Sequence, residues 1–216
     1  MPRATSDFTH IQEIYDQLAS SYDLRQAFGE LLLLRRYRRQ LLASAQGRVL
    51  EVGIGTGRNF PHYPLDCQIT GVDISPEMLK VAEQRAARLG LGVKLSPMDA
   101  HELTFPRGSF DTVVSSLSLC TVVDPVKVLT EMSRVSALNG RILLLEHGRS
   151  CYRWVSWLLD DLAPYQVKKY GCHPNRNILA LVQAADLVVL AAERHFLGGI
   201  IHVIRARPPR STAVAK

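Results

Sequence analysis

The sequence predicts an α/β protein, a doubly wound and mostly parallel sheet preceded by a helical cap. Three observations carry this. Short apolar runs alternate with helical patterns through 47–147 on short links, the pattern of a parallel sheet covered on both faces. The first run, Val49-Leu50-Glu51-Val52, opens into Gly53-Ile54-Gly55-Thr56-Gly57, where alternate glycines turn the chain sharply and leave no Cβ between backbone and ligand. The second run ends in Asp73, about 20 residues beyond Gly53, where nucleotide-binding βαβ units place an acid on the ribose hydroxyls.

The elements follow in order. Residues 7–22 carry Phe8, Ile11, Ile14, Tyr15, Leu18 and Tyr22 at helical spacing and repeat the pair Tyr-Asp at 15–16 and 22–23. A second helix is expected over 24–45, with Leu24, Ala27, Phe28, Leu31, Leu34, Leu41 and Ala45 on one side. In its middle, Leu31-Leu32-Leu33-Leu34 runs into Arg35-Arg36-Tyr37-Arg38-Arg39. Two readings stay open there: an amphipathic basic helix on an anionic membrane surface, or a packed helix with a solvated arginine face. After the glycine loop, Phe60-Pro61 cuts the next helix short. Strands are expected at 69–72, 93–95, 110–117 and 141–146, with Asn139-Gly140 as a turn before the last. Ser75-Pro76-Glu77 and Asp124-Pro125 are helix starts, an N-cap followed by proline at the first position. Helical patterns near 152–170 and 175–185 precede two apolar runs, 187–192 and 199–204, that suit a terminal hairpin. The expected organisation is one domain: a cap over 1–46, a βα core over 47–147, helices and hairpin over 148–206, and a tail over 207–216.

Composition narrows the function. At 216 residues and 47% apolar the chain can bury a core, and its net charge of +6 permits anionic partners without establishing one. Cys67, Cys120, Cys151 and Cys172 show no C-x-x-C pair and no metal spacing, so they read as reduced thiols of a cytoplasmic protein with no metal. No stretch approaches the roughly 18 apolar residues of a spanning helix, and the start does not read as a signal peptide. The third glycine comes too early for the G-x-G-x-x-G of a dinucleotide enzyme, which disfavours an NAD-dependent oxidoreductase. No phosphate-cleaving G-x-x-x-x-G-K-[ST] loop and no N/D-P-P-Y/F motif of a nucleic-acid methyltransferase is present, so nucleic acid is not an expected partner. A non-catalytic binding module that keeps the fold is the remaining rival.

Five motifs in order carry a resemblance: Glu51-x-Gly53-x-Gly55-x-Gly57, Gly71-Val72-Asp73-Ile74-Ser75, Met98-Asp99-Ala100, Ser109 to Val114, and Asn139-Gly140-Arg141. Together they resemble class I S-adenosylmethionine-dependent methyltransferases. The opening 15–23 is similar to the start of quinone and phospholipid methyltransferases of that class. The stretches 116–122, 145–148 and 171–177 resemble the branch that holds phosphatidylethanolamine N-methyltransferases and the methyltransferase-like thiol S-methyltransferases. The resemblance implies a Rossmann-like sheet with a reversed C-terminal strand. It implies that Gly53 and Gly55 approach the amino-acid half of the cofactor while Glu51 steadies the loop. Asp73 would hold the ribose, Ile74 and Met78 pack on the adenine, Asp99 accept from its amino group with Ala100 beside it, and Ser116 and Leu117 lie under the sulfonium. Tyr22 would close over the site. Arg58 and Asn59 stand where many relatives carry small or apolar residues. His147, at a strand end, is the candidate base or else fills the crevice wall. His173 and Asn177 could belong to a substrate lid, and Asp160 and Asp161 read as a solvated helix face. The expected product is S-adenosylhomocysteine. The expected acceptor is a small molecule or a lipid headgroup, phosphatidylethanolamine or a small thiol, used by a monomer or homodimer in the cytoplasm or at the inner membrane face.

Overall fold

The computed structural model describes residues 3–30 and 34–209, and of 3–7 and 28 the backbone alone. Leu31 to Leu33, most of the leucine run, and residues 210–216 of the tail lie outside the described residues. Seven strands form one sheet: β1 (Arg48–Val52), β2 (Gln68–Asp73), β3 (Lys94–Pro97), β4 (Phe110–Ser116), β5 (Ser136–His147), β6 (Val188–His195) and β7 (Ile201–Arg207), in the order β3-β2-β1-β4-β5-β7-β6. The first five run parallel, and β7 lies antiparallel between β5 and β6. The order reverses at β1, whose neighbours β2 and β4 lead away in opposite directions. That topology opens a crevice beyond the strand ends, where doubly wound sheets bind ligands.

Alternation along each strand sorts the core. Leu50 and Val52 on β1, with Ile142 and Leu144 on β5, pack on one face under α4 (Pro125–Val135) and α6 (Ile178–Ala184). Val49, Leu143 and Leu145 pack on the other under α2 (Arg35–Leu42) and α3 (Pro76–Leu89). The two predicted caps hold: Ser75 Oγ accepts from Met78 N at 3.1 Å, and Asp124 Oδ1 from Lys127 N at 3.0 Å. Between β1 and β2 there is only a 3-10 turn, Phe60–His62, as the proline requires. Among the described residues no helix is long and apolar enough to cross a membrane.

Four expectations are corrected. The cap does not break near residue 23: α1 runs unbroken over Arg3–Gly29, and α2 begins at Arg35. Leu24, expected to face the core, is 82% exposed, because α1 packs on α3 and on α5 (Arg153–Tyr170) through other positions. Asn139-Gly140 belongs to β5, where the register with β4 slips between Phe110 and Thr112, instead of forming a separate turn. Arg207, expected to open the tail, completes β7.

Candidate active site

Where the parallel strands end, a cleft of about 980 Å³ opens under α1. It is built first by the glycine loop. Gly53 has φ +64°, and a Cβ there would meet the Ser118 side chain at 2.5 Å, so only glycine fits between the two loops. Gly55 has φ +54° with open space where its Cβ would stand, so its backbone faces the cleft bare. Asp73 fixes this loop from the tip of β2. Its Oδ2 accepts from Gly55 N at 2.8 Å and its Oδ1 from Ser75 N at 3.0 Å. Burial raises the Asp73 carboxyl above its usual value, and these N–H groups oppose that.

Beneath the loop lies Glu51, buried and accepting from Asn59 Nδ2 and Tyr63 Oη, each at 2.7 Å. Burial pushes its carboxyl up to about 7. Glu51 thus holds Asn59, which the sequence left without a role, and Tyr63 beneath the loop. Opposite the loop, Asp99 offers one oxygen to the cleft. Its other oxygen, Oδ1, takes the His101 N–H at 2.9 Å and lies 2.6 Å from His101 Nδ1. His101 Nε2 in turn accepts from Asp124 N at 3.0 Å, which fixes the tautomer that donates to Asp99. Ile74, Met78 and Ala100 complete that wall, and Ser116 and Leu117 the floor. Leu117 has φ +57°, a strained conformation for a branched side chain, in the lining of the cleft. All eleven residues expected at the cofactor, Tyr22 included, therefore line one cleft.

The two Tyr-Asp pairs, seven residues and two helical turns apart, act as one device. Their aspartates tie the cap to the core. Ser75 Oγ donates to Asp16 at 2.5 Å, Thr56 Oγ1 and Arg58 Nε donate to Asp23 at 2.8 Å each, and Arg85 also pairs with Asp23. Their tyrosines, with ring centroids 6.2 Å apart, roof the cleft. Burial pushes the Tyr22 hydroxyl up to about 12, so it stays protonated.

A second chamber of about 1380 Å³ adjoins the cleft, and Tyr15, Tyr22, Arg38, Arg58 and Leu117 line both. His147 is here and not in the cofactor cleft. Its Nε2 lies 3.4 Å from Cys172 Sγ, and Cys120 stands beside them. Cys120 Sγ donates to Leu117 O at 3.6 Å; its neighbour Cys172 and burial raise it well above the usual thiol value, while Cys172, with Cys120 and His147 beside it, falls to about 5. Burial lowers His147, but the Cys172 bond and charge outweigh it and leave His147 above its ordinary value. The loop that carries Leu117 and Cys120 rests on Glu146. This buried carboxylate accepts from Ser115 Oγ at 2.6 Å, Leu119 N at 3.3 Å and Ser118 N at 3.4 Å, and burial pushes it up to about 7.

Arg38 is the residue the sequence most clearly misassigned. Arg35, Arg36 and Arg39 are exposed, but Arg38 is buried and turned between the chambers. It donates to Glu30 at 2.7 Å, Asn59 at 2.8 Å and Ser116 Oγ at 2.6 Å. Helical spacing held the signal, since Arg38 lies four residues after Leu34 and three before Leu41, both buried. Asn177, expected in a substrate lid, caps α6 through Ala180 N at 3.2 Å. Asp160 is no bare solvated acid: Arg149 and Asn175 both bond it at 2.8 Å.

Residues 50–144 match the family described as a methyltransferase domain. The chain carries a class I S-adenosylmethionine-dependent methyltransferase domain. It is 40% identical over 124 residues to a phosphatidylethanolamine N-methyltransferase of Cereibacter sphaeroides, covering 56% of this chain and 61% of that one. It is 34% identical over 156 residues to a human thiol S-methyltransferase, covering 68% and 63%. The chain thus spans less than two thirds of the length of either relative. A solved geranyl diphosphate C-methyltransferase from Streptomyces coelicolor, in complex with S-adenosylhomocysteine, shares the fold at a TM-score of 0.65 and 15% identity over 86% of this chain and 84% of that one. The cleft fits this family's cofactor, S-adenosylmethionine. Its bare glycine backbone, the acid at the tip of β2 and the spare oxygen of Asp99 are the groups such a nucleoside needs.

Proposed function

We propose that the protein methylates a sulfur nucleophile, a small thiol, that enters the second chamber. The observation that carries this is the chamber's chemistry. Its floor is two cysteines and a histidine, and its wall holds Arg25, Arg38 and Arg58. Its one carboxylate among the described lining residues, Glu30, is already paired with Arg38 and Arg58. Counting Asp23, which pairs with Arg58, three guanidiniums stand against two carboxylates, and the remaining positive charge favours an acceptor that reacts as an anion over an ammonium headgroup. The human relative, named for thiol methylation, supports the same reading.

S-Adenosylmethionine, when bound, supplies a methyl group on an electrophilic sulfonium. The chain's residues provide the rest by position. Gly53 and Gly55 carry the amino-acid half along the loop. Asp73 keeps lone pairs free for the sugar hydroxyls, since a carboxylate oxygen accepts two bonds. Ile74 and Met78 would pack on the base, and Asp99 would accept from it. Tyr15 and Tyr22 exclude water at the junction, and Leu117 shapes the passage between the chambers. The test is S-adenosylhomocysteine release with a panel of thiols, amines, phenols and phosphatidylethanolamine vesicles. Turnover of thiols alone is expected; turnover of the vesicles with silent thiols would overturn the reading.

A second reading has its own observation. On α5, Trp154, Trp157, Leu158, Leu162 and Tyr165 share one face and are all exposed, Trp157 at 70%. Gln166 and Tyr170 of the same helix line the second chamber. Amphipathic aromatics on one face are what a membrane interface selects, so a lipid acceptor would be drawn from the bilayer along α5. W154S/W157S would then abolish binding to anionic vesicles, while neutralising Arg35, Arg36 and Arg39 only weakens it. Binding that survives the tryptophan changes would remove this route.

A further inference from the structure

Three side chains converge on the floor of the second chamber from distant parts of the chain. Cys120 stands in the turn after β4, His147 ends β5, and Cys172 follows α5. Their ligand atoms all lie within 4.8 Å of one another, with His147 Nε2 and Cys172 Sγ at 3.4 Å. We propose that Cys120, His147 and Cys172 form a binding site for a thiophilic divalent cation of the Zn²⁺ type, its fourth position open to the second chamber.

The geometry suits the ion. Tetrahedral bonds of about 2.3 Å to sulfur and about 2.0 Å to nitrogen set ligand atoms roughly 3.5–3.8 Å apart. The three atoms therefore need to close by about 1 Å at most. The donor set selects the ion class: two sulfurs and an imidazole suit zinc, cobalt or copper and are foreign to magnesium and calcium. Three protein ligands with the last position free is the arrangement of reactive zinc sites, whereas structural sites close all four.

The surroundings support it. His173 N donates to Cys120 O at 2.8 Å, so backbone ties the turn of one cysteine to the residue after the other. Arg176 donates to the carbonyls of Leu119 and Val122 in that same turn. With a guanidinium so near, a dication is tolerable only if both cysteines bind as thiolates and cancel its charge. Cys151 is exposed, and among the described residues neither it nor Cys67 joins the cluster. The ion site stands on the cluster itself; its use rests on the thiol reading above. A thiol entering at the open position would form a sulfur–metal bond and release its S–H proton to water. A sulfur lone pair would then remain in the chamber that adjoins the cofactor cleft.

The test uses the full chain, reduced and stripped of metal. Titration with Co²⁺ should give one equivalent bound, a thiolate-to-cobalt charge-transfer band and tetrahedral ligand-field bands, all displaced by Zn²⁺. C120S and C172S should lose the charge-transfer band's full intensity, and H147Q should shift the ligand-field bands. In the unmutated chain, Zn²⁺ should shield two of the four thiols from a thiol reagent, which keeps the test decisive should a variant fold poorly. S-Adenosylhomocysteine should still raise the melting temperature of each folded variant. No band in the unmutated chain, or an unchanged band in C120S/C172S, overturns the site. A chain that methylates thiols without the band loses the metal and keeps the thiol reading; one that shows the band yet turns over no thiol loses that reading and keeps the metal.

Discussion

The two chambers are made differently. The cofactor cleft takes its floor and walls mostly from one run of chain, Glu51 to Val123, at and just beyond the tips of parallel strands, with Arg38 of α2 at its edge and α1 as its roof. The second chamber is assembled from α1, α2, the turn after β4, the end of β5 and the link after α5. Yet each rests on one buried glutamate. Glu51 holds Asn59 and Tyr63 under the glycine loop, and Glu146 holds Ser115, Ser118 and Leu119 under the acceptor loop. The lesson is that this scaffold supports both sites in the same way and varies only what is hung on them: backbone on the cofactor side, side chains from distant elements on the other.

The sharpest way to break that division is to cut the residue on its seam. Arg38 touches both chambers and bonds Glu30, Asn59 and Ser116. Arg38→Ala leaves Asn59 Oδ1 and Ser116 Oγ without this donor and Glu30 with Arg58 alone, for a cost of about 3 kcal/mol. In a chain of this size that lowers the melting temperature by roughly 6–12 °C. Thermal denaturation of the variant beside R35A/R36A/R39A checks it. The triple variant removes three charges from the exposed face and should melt within about 2 °C of the parent. Equal losses in both would return Arg38 to the solvated face.

Next in size is a change confined to one chamber. Asp73→Asn keeps the shape but turns an amide toward N–H donors and forfeits the charged acceptor for two sugar hydroxyls. Affinity for S-adenosylhomocysteine should fall about 100-fold, read by calorimetry, since charge-assisted bonds contribute about 1.5–3 kcal/mol each. The thiol titration and the cobalt spectrum of the second chamber should not move. A loss in both would show that the chambers are not separable.

The same division explains what could be read from the sequence. Asp73, Asp99, the glycine loop and the two capped helices were legible because each function there needs a residue type at a fixed place on a strand tip or a helix start, and neighbours in sequence are neighbours in the fold. Cys120, His147 and Cys172 carry no such spacing, since only the folding of three separate elements brings them together. Arg38 was hidden for another reason. In Arg35-Arg36-Tyr37-Arg38-Arg39 composition is uniform, and only the phase of the helix, set by Leu34 and Leu41, decides which arginine turns inward. The end of α1 was misplaced because the Tyr-Asp repeat continues smoothly through residue 23, with no cap to stop it there.

The smallest effect asks whether the two glutamates are equivalent supports. Burial raises both from an ordinary carboxyl value to about 7. Between those values the folded chain holds a proton that the unfolded chain has released, so stability falls as pH rises through about 4.5 to 7 and is flat above. A shift of this size would be worth about 3 kcal/mol in full, and relaxation around the ionised group reduces it to roughly 1–2 kcal/mol each. His202, buried on β7 opposite Glu146 and pulled down to about 4 by burial, acts in reverse and removes stability as pH falls below about 6.5. Glu51→Gln keeps the bond to Asn59 and lets the Tyr63 hydroxyl accept where it now donates. Glu146→Gln keeps an acceptor for Ser115 but sets an amide against the N–H of Ser118 or Leu119. Melting temperature followed from about pH 6.5 to pH 8 should therefore fall less in both variants than in the parent. At pH 8, E51Q should be the more stable of the two, because a hydroxyl can reverse its bond and a backbone N–H cannot. If E146Q melts no lower than E51Q there, Glu146 does not hold the acceptor loop through those N–H groups, and the parallel between the two supports fails on that side.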